Sequence, residues 1–209
     1  QAEGEGGGRS FLRSPTEGLA LLDINASEVE DVIITHMHYD HAGNLEQFPK
    51  ARFHIQDVEM SLVTGRAMTH KALRHSFVVD DVVDMVRLVY GDRVVFHDGE
   101  DHIAPGVSVH HLPGHTRGMQ AVRVGSQRGA VVLASDVAHY YESFELETPF
   151  MTHEDLFQML ESHRKLRALA SDNAHIVPGH DPLVMQRYPA PRADLEGIVV
   201  RLDVPPKDG

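Results

Sequence analysis

The sequence contains no cysteine in 209 residues. A disulfide framework and any thiolate metal site are therefore excluded, and a bound metal would have to rest on nitrogen and oxygen ligands. Tryptophan is absent too, yet a hydrophobic content of 42% with eight phenylalanines suffices for an ordinary soluble core. Positive charge is scarce: 19 Lys and Arg against 31 Asp and Glu leave a formal net charge of -12. That balance argues against nucleic acid as a partner, because binding its backbone takes clustered Lys and Arg. No apolar run reaches the roughly 18 to 20 residues of a transmembrane helix, and the first residues lack the apolar segment of a signal peptide. No membrane partner is expected, and the cytoplasm is the default location. There is also no internal repeat, no P-loop and no GxGxxG fingerprint.

What the chain has in quantity is histidine, 16 in all. The organising stretch is residues 32–44, VIITHMHYDHAGN. Val32, Ile33 and Ile34 form a β-branched run too short for a core helix and predict a buried strand. Thr35, His36, His38, Asp40 and His41 follow, and Gly43-Asn44 supplies turn chemistry. His36 and His38 are two apart, which in extended backbone sends both imidazoles the same way. Asp40 and His41 come where the chain must curl and could face a second point nearby. Three neutral imidazoles and a carboxylate within six residues are costly to bury unless a cation sits among them. A polar loop with solvated histidines is the plain alternative for a bare HxH, and it loses most of its weight for HxHxDH behind an apolar strand.

Residues 1–10, QAEGEGGGRS, have nothing to bury and predict a flexible tail. With the loop or short helical turn expected over 11–22, they make a flexible or incomplete N-terminal segment ahead of a single domain over 23–209. Ser27 is placed to cap a brief turn. Ala51 to Gln56 alternates as a strand, and Asp57 to Thr64 predicts a helix. Residues 65–77 predict loop or helix. Asp80 to Tyr90 carries Val82, Val83, Val86 and Val89 at helical spacing, with Gly91 as terminator, and these valines are expected in the core. Val94 to Phe96 and Val107 to Leu112 predict strands parted by a polar turn. Gln120 to Val124 and Ala130 to Ala134 predict a hairpin. Residues 152–170 predict the clearest helix, with Thr152 and Asp155 as a capping box and Leu156, Met159, Leu160, His163, Leu166 and Ala170 on one face. Ala174 to Val177 predicts a last short strand. Strands thus run into histidine or aspartate at His36, His115, Asp136 and His180, where loops on one sheet edge can converge.

Together, HMHYDH at 36–41, GHT at 114–116, SD at 135–136 and GH at 179–180 resemble the ordered signature of the metallo-β-lactamase superfamily. Within it, THMHYDHAGN, LPGHTRG and PGHDP are most similar to the N-acyl homoserine lactonase-like hydrolases. The resemblance runs from about Asp23 to Leu202. It implies an α+β fold, an αββα sandwich of two mixed sheets with helices outside. It also implies one metal on His36, His38 and His115, a second on Asp40, His41 and His180, and Asp136 bridging both. Such ligands suit two zinc ions, and also iron, cobalt or manganese. The implied function is the opening of a lactone by a hydroxide held between the metals, which Asp40 would orient and whose proton it could later carry. The implied partner is a small-molecule ester or lactone, and a homodimer is suggested on the same ground.

Two departures matter. Lactonases of this type usually carry a tyrosine three residues after the bridging aspartate, where this chain has His139, followed by Tyr140 and Tyr141. His139 or Tyr140 is the expected replacement, which makes Asp40, His139 and Tyr140 the candidate catalytic residues; the alternative is that 139–141 only pack under a loop. The superfamily also has several strands before its HxHxDH motif, whereas only residues 1–31 precede the organising strand here. N-terminal strands are therefore expected to be missing, and a further segment to complete the core. Other functions weighed are thioester hydrolysis of the glyoxalase II kind, for which Arg74, Arg87 and Arg117 are available, β-lactam hydrolysis, and a non-catalytic binding module. Retention of all seven ligand positions disfavours the last, because an empty site of that composition would be destabilising.

Overall fold

The computed structural model describes residues 12–207, so the Gly-rich stretch 1–10 lies outside the described residues. The described residues divide into two compact units, one made of residues 12–55 and 60–96, the other of residues 56–59 and 97–207. In the first, α1 (Pro15–Ala20) opens with a capping box: Glu17 N–H donates to Ser14 Oγ at 3.2 Å and Ser14 N–H to the Glu17 carboxylate at 2.6 Å. The turn at Ala26–Glu28 is capped by Asn25 rather than Ser27, for the Asn25 carbonyl oxygen accepts from the Ser27 N–H at 3.0 Å. The carboxamide reaches the amide two residues on, and Ser27 becomes its donor.

Strand β1 (Asp31–Ile33) pairs in parallel with β2 (Arg52–Gln56), with Val32 opposite Phe53. Helix α2 (Asp57–Val63) follows directly, and the short α3 (Lys71–Arg74) lies in the stretch of weak periodicity. Helix α4 (Val79–Tyr90) ends at Gly91 as expected, but its buried face differs from the expected one. Met85 is fully buried, Val82 and Val86 pack beside it, and Val83 is 38% exposed. Val82, Met85 and Val86 stand at i, i+3 and i+4, whereas Val83 lies about 100° around the helix. Strand β3 (Val94–His97) completes the sheet in the order β1-β2-β3. Truncating Met85 to alanine should cost about 2–5 kcal/mol. Urea unfolding should show a lower midpoint with an unchanged slope.

The second unit is a five-stranded sheet in the order β4-β5-β6-β7-β8. Strand β4 (Asp101–Ala104), where a polar turn was expected, pairs antiparallel with β5 (Val107–His111). An edge strand needs partners on one side only, so a polar sequence such as DHIA can take the place. The hairpin of β6 (Gln120–Ser126) and β7 (Gly129–Ser135) forms as expected. Helix α5 (Tyr141–Glu145) is followed by α6 (Leu156–Leu169), which begins at Asp155 rather than Thr152. Asp155 accepts from Gln158 N–H at 3.0 Å, while the Thr152 carbonyl is turned to a histidine. Met159, His163 and Leu166 of α6 are buried as the periodicity predicts, and Leu156 is 46% exposed. Strand β8 (Ile176–Pro178) runs parallel to β7, and α7 (Leu183–Arg187) follows. Among the described residues no helix is long and apolar enough to cross a membrane.

Candidate metal centre

In the first unit the organising motif leaves β1 and curls. His41 and Ala42 N–H both donate to the His38 carbonyl, at 3.0 and 2.9 Å, and this turn folds the imidazoles together. The His36 ring lies 4.6 Å from that of His38 and 4.2 Å from that of His41, centre to centre. Asp40, exposed, has a carboxylate oxygen 3.7 Å from His41 Nε2. Phe77 meets the His38 ring edge-on at 4.6 Å and limits its rotation. The four residues of the motif are therefore gathered, two of their imidazoles buried and the acid at the surface.

In the second unit the loop after β5 carries His115. Its position is fixed from several sides: Ser162 Oγ donates to the Pro113 carbonyl at 2.6 Å, and Glu154 and Asp155 N–H donate to the Gly114 carbonyl at 2.8 and 3.0 Å. Glu59, fully buried at the start of α2, accepts from Thr116 Oγ1 at 2.8 Å and from Gly118 N–H at 2.9 Å. Nothing in the linear sequence marked Glu59 beyond an acid amid the apolar residues of a helix. Beyond β7, Ser135 takes a left-handed backbone, φ 47°, which re-aims the chain and turns Asp136 out of the strand alternation. Gly179 N–H donates to the Ser135 carbonyl at 3.1 Å, and His180 N–H to the His139 carbonyl at 3.0 Å, so the SD and GH motifs are stitched backbone to backbone.

Three imidazoles consequently meet one carboxylate. His115 Nε2 and His139 Nε2 lie 3.2 and 3.1 Å from Asp136 Oδ2, and His180 Nε2 lies 3.1 Å from Oδ1. His115, Asp136 and His139 are all at least nine-tenths buried. His115 Nδ1 sits 2.8 Å from the Thr152 carbonyl and can only donate there, which in the neutral ring leaves a lone pair on Nε2. A lone pair and a carboxylate oxygen facing each other at 3.2 Å repel unless a positive charge lies between them. This is the arrangement of a metal-binding histidine whose far nitrogen is held by an outer partner, so the residues present fit a divalent cation. Tyr140 is 39% exposed with its ring 6.4 Å from that of His139. Tyr141 is buried, its ring 3.8 Å beneath the Arg187 guanidinium, and burial pushes its hydroxyl up to about 12, so it stays protonated.

His163 on α6 donates from Nε2 to the Val137 carbonyl at 2.6 Å, next to Asp136. Desolvation holds its pKa below the ordinary 6.5, so the unfolded chain binds its proton more readily than the folded one. Stability drawn from the neutral ring is present above that ordinary value and is lost as pH falls through the lower folded value. Chemical denaturation of wild type and His163→Gln at several pH values should therefore show the wild-type advantage shrinking below about pH 6.5.

A family model described as the Metallo-beta-lactamase superfamily matches residues 4–180, and the chain belongs to that superfamily. Its fold is the metallo-β-lactamase fold, a mixed α/β arrangement of sheets and helices, as expected. An N-acyl homoserine lactonase of Bacillus sp is 26% identical over 151 residues, 72% of this chain and 55% of the relative. A protein of Mycobacterium tuberculosis named "Probable metallo-hydrolase" is 24% identical over 190 residues, 83% of this chain and 59% of the relative. The chain thus spans between 55% and 59% of the length of these curated relatives. Among solved structures, an N-acyl homoserine lactone hydrolase with N-hexanoyl-L-homoserine at its catalytic metal centre superposes with a TM-score of 0.68 at 22% identity, covering 82% of this chain and 63% of that one. AidC, described as a dizinc quorum-quenching lactonase, gives 0.65 at 16% identity, covering 83% and 65%.

Proposed function

We propose that the chain belongs to a metal-dependent hydrolase that opens a lactone, with N-acyl homoserine lactones the first class to test. The observation that carries this reading is the convergence of His115, His139 and His180 nitrogens on Asp136, within 3.2 Å. The ordered motifs and the lactonase names of relatives at 23–26% identity support it. The proposed ligands are His36, His38 and His115 for one ion, Asp40, His41 and His180 for the other, and Asp136 for both. Zinc is proposed for both places, since imidazole and carboxylate with no thiolate suit it, as they also suit iron, cobalt or manganese. Two such cations, when bound, would supply Lewis acidity and a water acidified towards neutrality.

The protein's own groups do the rest. The Thr152 carbonyl holds His115 in one tautomer, so the imidazole need not reorganise during a turnover. Asp40, the exposed acid of the motif, is suited to take the proton of an attacking water and return it to the departing alkoxide, which keeps the reaction proton-neutral until the product acid ionises. Ring opening of a lactone then releases one proton near neutral pH, and this is the readout. The full-length, metal-supplemented protein should acidify weakly buffered solutions of aliphatic and acyl-homoserine lactones, and should leave a glutathione thioester and nitrocefin untouched. Turnover of the thioester or nitrocefin alone would retain the hydrolase and discard the lactone.

A further inference from the structure

His139 touches Asp136 but is built differently from its neighbour His115. Both present Nε2 to the same carboxylate oxygen, at 3.1 and 3.2 Å. On the far side, His115 Nδ1 has the Thr152 carbonyl at 2.8 Å, whereas His139 Nδ1 is buried with no hydrogen-bond partner among the described residues. Were His139 Nε2 to offer a lone pair to a metal, its proton would sit on Nδ1 as a buried N–H without an acceptor, a rare and costly state. With the proton on Nε2 the ring donates to Asp136, and only an acceptor lone pair is left over, which is the better tolerated deficit. Phe150 stacks on the His139 ring at 4.1 Å and 22°, and the residue is 6% exposed, so the imidazole is held against the carboxylate.

We infer that His139 is a positioning residue: it donates Nε2–H to Asp136 Oδ2 and fixes the direction in which that carboxylate meets the metals, without being a ligand or touching substrate. This rests on the metal-centre reading given above. A carboxylate has room for it, since two oxygens offer about four lone-pair sites. The role also explains the spacing. Asp136 and His139 stand three residues apart, bridged by a turn in which Val137 and Ala138 N–H donate to the Ala134 and Ser135 carbonyls at 3.2 and 3.4 Å. That turn brings residue 139 back over the side chain of residue 136.

The test is Co(II) binding to the intact protein without substrate, read by the visible ligand-field bands, for wild type and for His139→Ala, His139→Gln and His139→Asn. The amide nitrogen of glutamine reaches the place of Nε2, whereas that of asparagine reaches only the place of Nδ1. Loss of an outer partner costs about 10–100-fold in metal affinity. His139→Ala and His139→Asn should fall by that factor, His139→Gln should stay within a few fold of wild type, and all four should share one band shape at saturation. A changed band shape in both the alanine and glutamine variants would make His139 a ligand and overturn the inference. Wild-type affinity in His139→Ala would overturn it as well. Because no substrate is present, failure of the lactone panel leaves this result standing, and loss of Co(II) binding by the wild type would refute the metal centre itself.

Discussion

Asp136→Ala should lower turnover by well over 100-fold in the intact, metal-supplemented protein and should deplete its bound metal, as measured by elemental analysis of the dialysed protein. The factor exceeds the 10–100-fold typical of outer partners because the group removed is a direct contact of three ring nitrogens. Without the carboxylate, His115 and His180 would lose the anionic group they share, and Asp40 would be the one carboxylate left among the proposed ligands. The positive charge of the ions would then be compensated far less, and binding would have to supply more of their desolvation. Asp136→Asn sharpens the experiment. It keeps the volume and one carbonyl oxygen, but it carries no charge, and its NH2 group is a donor, where a cation requires a lone pair. The asparagine variant should fail on metal content nearly as badly as the alanine one. In metal-free protein both changes should alter stability far less than they alter metal content, because the burial cost of the carboxylate is set against the hydrogen bond that His139 donates to it. Full metal content and turnover in Asp136→Ala would refute the site.

Which parts of this arrangement could be read beforehand follows from how far apart the interacting residues stand. The HxHxDH group was legible because strand periodicity and a Gly-Asn turn act over a few residues, and a run of imidazoles behind β-branched residues has few other uses. The helix α4 was legible too, while its exact face was not. Val83 carries the same side chain as Val82, and only the neighbouring burial of Met85 shows which of them faces inward. The cap of α6 is ambiguous in the sequence for a similar reason. Thr152 and Asp155 both qualify by type, and the choice is made by His115, which occupies the Thr152 carbonyl from 37 residues away. Glu59 lay beyond local reading altogether, since its partners Thr116 and Gly118 are 57 and 59 residues on. Strand β4 was hidden by being polar, as an edge strand can be. His139 stands out in the sequence as a departure from the lactonase pattern, but its aim at Asp136 depends on the left-handed Ser135 and the turn after it.

The glycines of the PGHTRG motif yield a large expected loss of stability. A Cβ on Gly114 would lie 2.4 Å from both the backbone nitrogen and Cα of Met159, on the buried face of α6, and Gly114 has φ 137°. A Cβ on Gly118 would lie 2.3 Å from Glu59 Cβ and 2.4 Å from Glu59 N. Neither neighbour can yield cheaply, since one is helix backbone in the core and the other is the residue that grips this same loop. Relief would require the loop to move outward, with loss of the Glu59 hydrogen bonds and of the His115 contact to Thr152. Each of Gly114→Ala and Gly118→Ala should therefore cost about 3 kcal/mol or more, the upper range for overpacking. In a chain of this size that lowers the melting temperature by roughly 6–12 °C. Gly99→Ala is the control: its φ is 99°, but nothing lies within 4 Å of the added methyl group. It should carry only the left-handed backbone penalty of about 1–2 kcal/mol. If Gly114→Ala melted no lower than Gly99→Ala, the close approach of the loop to α6 would be wrong. If it melted lower and also bound Co(II) more weakly, the motif glycines would be shown to serve the metal centre through packing, by letting His115 sit where Thr152 can hold it.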